Sequence, residues 1–299
     1  DRVRALCIAT GVPETVVDMH RFAGTSVQSN VSGNLNLKEE TSDTYSIGTV
    51  FRPEWQSPLL SNFSLSIDYF DIKIRDAIGL VTGDVITQRC FNGAGDSNPN
   101  YDPQNFYCQL IHRGPSGGFS AIDTPLLNLA GYHTAGVDVQ LDWSVPVSTS
   151  GRIGANVLAS YLDKYAVQTL QGADFAEYAG TIGNGQISSN AISHPRWRTV
   201  TNLSYTDDRF GLNLRWRWID EMSNAANVGI ADATAPGVSA VSYFDATAHF
   251  AINPGIVFRI GVLNLTDKQP PEWTGEAATD SNLYDVVGRR FFAGVGLKF

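Results

Sequence analysis

Five histidines (His20, His112, His133, His194, His249) and three cysteines (Cys7, Cys90, Cys108) are the residues of this 299-residue chain best suited to metal or nucleophilic chemistry. The histidines show no metal-type spacing. No nucleophile elbow is expected, and loop composition does not define a Ser/His/Asp triad. Asp96, Asn98, Asn100 and Asp102 alternate as oxygen donors, as in a calcium loop. The turn glycine and distal glutamate of such a loop are missing, so the segment reads as a polar loop. No enzyme activity, no metal and no cofactor is expected. Cys90 and Cys108 enclose a stretch of turn residues (Gly93, Gly95, Asn98, Pro99, Asn100, Pro103). That pattern predicts a disulfide and an oxidising compartment. Cys7 is left without a partner, which is expected upstream of residue 1 in a longer chain.

Composition narrows the class. Hydrophobic residues make up 43% and charged residues only 17%, with a net charge of -9. An acidic chain with no basic face is not expected to bind nucleic acid. No window approaches the about 18 apolar residues of a membrane-crossing helix. The N-terminus has no apolar core or small-residue cleavage pattern of a signal peptide.

The elements that must position these residues follow period two. In Gly136–Ser144, Val137, Val139, Leu141 and Trp143 oppose Asp138, Gln140 and Asp142. This is a strand with one apolar and one polar face. The same alternation recurs around 43–52, 62–76, 152–165, 196–206, 210–220, 243–252, 255–266 and the C-terminal segment from Arg290. It predicts nine strands. A phase slip at Phe70, Ile72 and Ile74 predicts a bulge, and a short helix is expected near 13–20. Short connections (53–61, 146–151, 207–209, 253–255) alternate with long ones (77–125, 167–195, 221–241, 268–283). That order predicts an up-and-down meander with its long loops at one end.

Two solvents are open to the apolar faces: the interior of a soluble β-sandwich, or lipid around a transmembrane antiparallel β-barrel. Aromatic residues near the face ends (Tyr45, Phe51, Trp143, Tyr161, Trp197, Tyr205, Trp216, Trp218) resemble interfacial girdles. Arg215, Arg217, Arg259, Arg290 and Asp138 fall on the other face, as a barrel lumen requires. The pattern favours the barrel.

Several stretches resemble the TonB-dependent receptors of Gram-negative outer membranes. They are Asn34 to Tyr45, Leu65 to Ile74, Gly261 to Pro271, and Tyr284 to the terminal Phe299. Together they span almost the whole chain; Glu39 departs from the proline usual there. The resemblance implies an all-β, 22-stranded barrel plugged by an N-terminal domain. It makes residues 1–299 about nine C-terminal strands, with 1–40 mostly extracellular loop and 41–299 strands and loops. The plug and the TonB-contacting box would lie upstream. Phe291, Val295, Leu297 and Phe299 match the family's barrel-assembly signal. The implied partners are outer-membrane lipid, the assembly machinery, the TonB complex through the plug region, and a small ligand such as a ferric siderophore or an oligosaccharide. His112, Arg113, His133, Trp273, Arg289 and Arg290 are candidates to line the external vestibule. Arginines there suit an anionic ligand and aromatics a sugar ring; contacts to the plug are the equal alternative. Arg215, Arg217 and Arg259 read as plug or lumen salt-bridge partners. A passive porin-type channel and a soluble β-sandwich binding module are the other functions to be weighed.

Overall fold

The computed structural model describes residues 2–21, 26–57, 59–60, 62–93, 95, 97–168, 174–183, 193–273 and 279–297. Asp96 of the oxygen-donor series and Phe299 of the assembly signal lie outside the described residues.

The alternating segments form nine long strands: β1 (Thr41–Phe51), β2 (Asn62–Leu80), β3 (Phe119–Pro146), β4 (Arg152–Gln168), β5 (Trp197–Thr206), β6 (Phe210–Ile219), β7 (Val241–Asn253), β8 (Ile256–Leu263) and β9 (Arg290–Leu297). Each pairs antiparallel with its sequence neighbours, so the sheet runs β1 to β9 in chain order. Among the described residues the outer edges of β1 and β9 carry no partner strand. Three short segments add to the sheet: Gln28–Ser32 and Ile111–Arg113 on β3, and Ala176–Glu177 on β4.

Register keeps the two faces distinct. Leu212, Leu214 and Trp216 of β6 stand opposite Tyr205, Leu203 and Thr201 of β5, and opposite Ala248, Ala246 and Phe244 of β7. This apolar face is open. Ile47 is 74% exposed, Ile260 60% and Val295 56%. A sandwich would bury these side chains under a second sheet, and among the described residues none covers them. The buried clusters lie elsewhere, among the long loops and the strand ends that carry them. One joins Leu6, Ile86, the two bonded cysteines and Ile111. Another joins Ile182, Met222, Val238, Tyr243 and Tyr284. A continuous open apolar face of this size is stable only against lipid. Aromatics bound it at both ends. Tyr161 and Trp197 lie 4.7 Å apart, and Trp216 stacks on Phe244 at 6.4 Å, at the long-loop end. Trp55 and Phe63 (5.8 Å) and Tyr205 and Phe210 (6.3 Å) mark the short-turn end. The step from Trp197 to Tyr205 is about 26 Å of strand, of the order of the apolar band such proteins show. No described helix is long and apolar enough to cross a membrane, so any crossing falls to the strands.

Two local expectations are corrected. The bulge in β2 is not near Phe70. Pairing with β3 runs unbroken from Asn62 to Ile74 and shifts between Ile74 and Ala77, where Asp76 takes φ 54°, and again between Ala77 and Ile78. Phe70 and Ile72 are simply apolar residues on the polar face, and the Phe70 ring occupies the space a Cβ would need at Gly136. The short helix expected near 13–20 is only a 3-10 turn, and the α-helix of this region is α1 (Arg2–Ala9). Gly11 at φ 109° and then Pro13 interrupt helical geometry, leaving a single 3-10 turn at Val17–Met19.

The short connections 147–151, 207–209 and 254–255 close locally. Val147 N–H donates to Gly151 O at 2.8 Å, and Asp207 N–H to Phe210 O at 2.8 Å. The long loop 81–118 builds α2 (Gly83–Cys90) and α3 (Phe106–Gln109), joined by a Cys90–Cys108 disulfide with Cα atoms 4.7 Å apart.

Leu214→Arg is expected to destabilise the protein in phospholipid vesicles by about 2–4 kcal/mol. Asn213→Arg, one residue away on the polar face, is expected to cost less than about 1 kcal/mol. Urea unfolding in vesicles compares them; equal costs would put both faces in one solvent.

Candidate functional site

The polar face carries a hydrogen-bonded row across four strands. Asp142 accepts from Gln140 and from Asn156 at 2.7 Å each. Asn202 Nδ2 reaches Asn156 Oδ1 at 3.3 Å, and Arg215 Nε reaches Asn202 Oδ1 at 3.0 Å. Asp142, Asn156, Asn202 and Arg215 are direct register partners on β3 to β6, so the row runs straight across. With Arg52, Ser64 and Ser204, three of its members line a concavity of about 680 Å³ at the short-turn end.

At the long-loop end the strands hold a charged knot. Arg217 reaches Asp245 at 3.3 Å and stands 3.9 Å from Asp285; Arg290 reaches Asp285 at 3.1 Å. The Asp285 side chain is only 5% exposed. Asp285 belongs to the loop after β8, so two strand arginines fasten that loop to the rim. Asp245 also accepts from the Asn264 amide at 2.9 Å, at the start of the same loop. Beneath it Tyr284 Oη, Trp273 Nε1 and Arg217 Nε are buried with no hydrogen-bond partner among the described residues. Burial pushes the Tyr284 phenol well above its usual range.

The six candidate ligand residues do not converge. His112 bonds Asp123 at 2.7 Å near the disulfide-closed loop. Arg113 is partly buried, lies 4.3 Å from the centre of the Phe119 ring and donates to Gly117 O at 2.7 Å. Burial pulls its guanidinium below the ordinary value. His133 shares the face of Val137 and Val139 and bonds Asp71 at 3.1 Å, beyond the outer aromatic girdle. With Lys73, Arg75 and Phe175 it lines a cavity of about 430 Å³. Trp273 packs on the loop core, its ring where a Cβ of Gly183 would fall. Arg289 stands 3.9 Å from Asp267, and Arg290 is in the knot. Arg113, Trp273 and Arg290 are thus held in packed or paired surroundings. One Gly-x-Ser-x-Gly string does occur, at 114–118. It is a hairpin turn, with Gly114 N–H on Gly118 O at 2.9 Å between paired strands, and not the strand-to-helix turn a nucleophile needs.

Sequence reading missed one inner-face group. Tyr165 stacks on His194 at 3.7 Å, beside Tyr132 and the buried pair Val167 and Tyr178. Burial lowers the His194 imidazole to about 4, against the pull of Asp280. The signal was available in the alternation Tyr132, Thr134 against Tyr165, Val167 across β3 and β4.

A meander with an open apolar face, aromatic girdles, a polar inner face and all long loops at one end defines an outer-membrane β-barrel protein. The chain belongs to the family described as TonB dependent receptor-like, beta-barrel, whose model matches residues 10–265. No curated protein matches it. Solved structures do share the fold. A ferric enterobactin receptor (PfeA) of Pseudomonas aeruginosa has TM-score 0.55 at 14% identity, over 90% of this chain and 32% of that one. The outer membrane transporter YddB of Escherichia coli has TM-score 0.55 at 13% identity, over 92% and 35%. The siderophore receptor PirA of Acinetobacter baumannii has TM-score 0.51 at 16% identity, over 90% and 33%. The chain therefore spans about a third of these structures' length.

Asp285→Asn keeps the side-chain volume but removes the charge both arginines need. The lost charge-assisted bonds cost about 1.5–3 kcal/mol, so limited trypsin cleavage at Lys268 is expected to accelerate by about one to two orders of magnitude. For His194, the folded value lies below the about 6.5 of a free imidazole, so the unfolded chain binds more protons between the two. The neutral ring's contribution is complete above about pH 6.5 and is lost as pH falls toward 4. Wild type is expected to lose more stability than His194→Gln between pH 7 and pH 5, read from urea midpoints at both pH values.

Proposed function

We propose that this chain is barrel from a TonB-dependent transporter: about nine C-terminal strands of a 22-stranded barrel whose plug and TonB-contacting box lie upstream. The observation that carries this is the family match over residues 10–265, on a sheet whose polar face is organised to meet an enclosed partner. The Asp142–Asn156–Asn202–Arg215 row gives an N-terminal plug a hydrogen-bonding wall. Ligand binds among the external loops, and the TonB complex displaces the plug using the inner-membrane proton gradient. The C-terminal segment, with Phe291, Val295, Leu297 and Phe299, addresses the barrel-assembly machinery. The cargo is a scarce nutrient of the ferric siderophore or oligosaccharide class. A ferric enterobactin receptor and a siderophore receptor share this fold, which supports testing iron chelates first.

A strain deleted for the full-length gene is expected to lose growth on one member of a panel of iron chelates and oligosaccharides. Complementation restores uptake only when TonB and the proton gradient are intact. Uptake that survives collapse of the gradient would show a passive channel instead.

A further inference from the structure

The geometry points to a saccharide-binding cleft between α2 and the short strand Gln28–Ser32, outside the barrel lumen. A cavity of about 570 Å³ opens there, lined by Ser26, Gln28, Ser29, Asp84, Thr87 and Gln88 above an apolar floor that includes Phe119 and Ile122. Its volume falls within the range of small-ligand sites.

Helix spacing builds one wall. Asp84, Thr87 and Gln88 stand at i, i+3 and i+4, so they share one face of α2. Ile86 and Cys90 take the opposite side and are fully buried, and the Cys90–Cys108 bond anchors the end of the helix. The other wall is fixed by parallel pairing of Gln28–Ser32 with Ala121–Pro125 of β3, and by Ser29 Oγ against Thr124 Oγ1 at 2.9 Å.

The lining selects the ligand. Among the described residues it contains one carboxylate, two primary amides and three hydroxyls, and no Lys, Arg or His. The cation beside this floor, Arg113, is already spent on the Phe119 ring and Gly117 O, and Asp84 would repel an anion. A neutral polyhydroxylated ring finds matched partners. Among the described residues the Asp84 and Gln88 side chains are uncommitted. Gln28 spends an amide hydrogen on Asn30 at 2.9 Å and keeps its carbonyl oxygen. Thr87 donates to Gly83 O at 2.8 Å and keeps its lone pairs. Asp84 and the amides accept and donate to adjacent hydroxyls, while the C–H face of a sugar ring lies on the apolar floor.

The cleft is external only if the long loops are external, so it rests on the orientation assumed in the transport proposal. Full-length protein purified in detergent is tested by calorimetry against neutral mono- and oligosaccharides, with a neutral bacterial surface polysaccharide as a separate arm. Saccharide binding that falls at least tenfold in both Asp84→Ala and Gln88→Ala, with the disulfide intact on non-reducing peptide mapping, supports the cleft. The milder Thr87→Val is expected to weaken binding several-fold and covers misfolding of the other two. Binding confined to the polysaccharide arm identifies the cell's own surface glycan as the source; binding in the panel identifies a nutrient. No saccharide binding at millimolar concentration, or binding indifferent to all three substitutions, overturns the proposal. Loss of energy-coupled uptake alone, with the cleft still binding, overturns only the transport proposal.

Discussion

The backbone ladder is the constraint everything else obeys. In lipid an unpaired N–H or C=O has no water to turn to. Each of the nine strands therefore bonds its neighbours continuously, and the chain order of the strands becomes their order in space. Once that ladder is fixed, side chains divide strictly by parity. Leu214 meets lipid and Arg215 meets the lumen because they are adjacent, not because of any local preference. The outward residues need only be apolar. The inward ones are free to form the polar row from Asp142 to Arg215 and the arginine knot around Asp285.

The packed interior is displaced to the ends of the strands. The sheet itself has no buried side. Its long loops supply what cores there are: one locked by the disulfide against Leu6 and Ile111, another gathered around Tyr243 and Tyr284. β3 serves both regions. Its 28 residues exceed what a crossing of about 9–11 requires, and its far end carries Gln28–Ser32 and Ile111–Arg113. The strand thus continues from the lipid into the loop domain as a rigid support.

Much of this was legible from residues alone. Period two located all nine strands, because each face meets a different solvent and a polar side chain in lipid is costly. Cys90 and Cys108 announced their bond through the turn residues between them. The bulge was misplaced because Phe70 and Ile72 are apolar on the polar face, where Gly136 makes room for a ring; no single-strand pattern shows that. The candidate ligand residues were chosen by type and height along the strand. Their partners, Asp71 for His133 and Asp285 for Arg290, are set by register and by loop folding at long sequence separation. Spacing carries no trace of them. The strand half of the His194–Tyr165 stack was legible in the alternation of Tyr132 and Thr134 against Tyr165 and Val167, but the loop position of His194 was not.

The connection lengths bear on how such a protein can change over generations. A turn of two residues, 254–255, or three, 207–209, is closed by local hydrogen bonds that an inserted residue would break. The long loops accept extra residues with a cost that grows only slowly with length. Divergence is thereby channelled to one end. The long-loop end is free to vary its shape, while the tight turns of the opposite rim leave less room to do so.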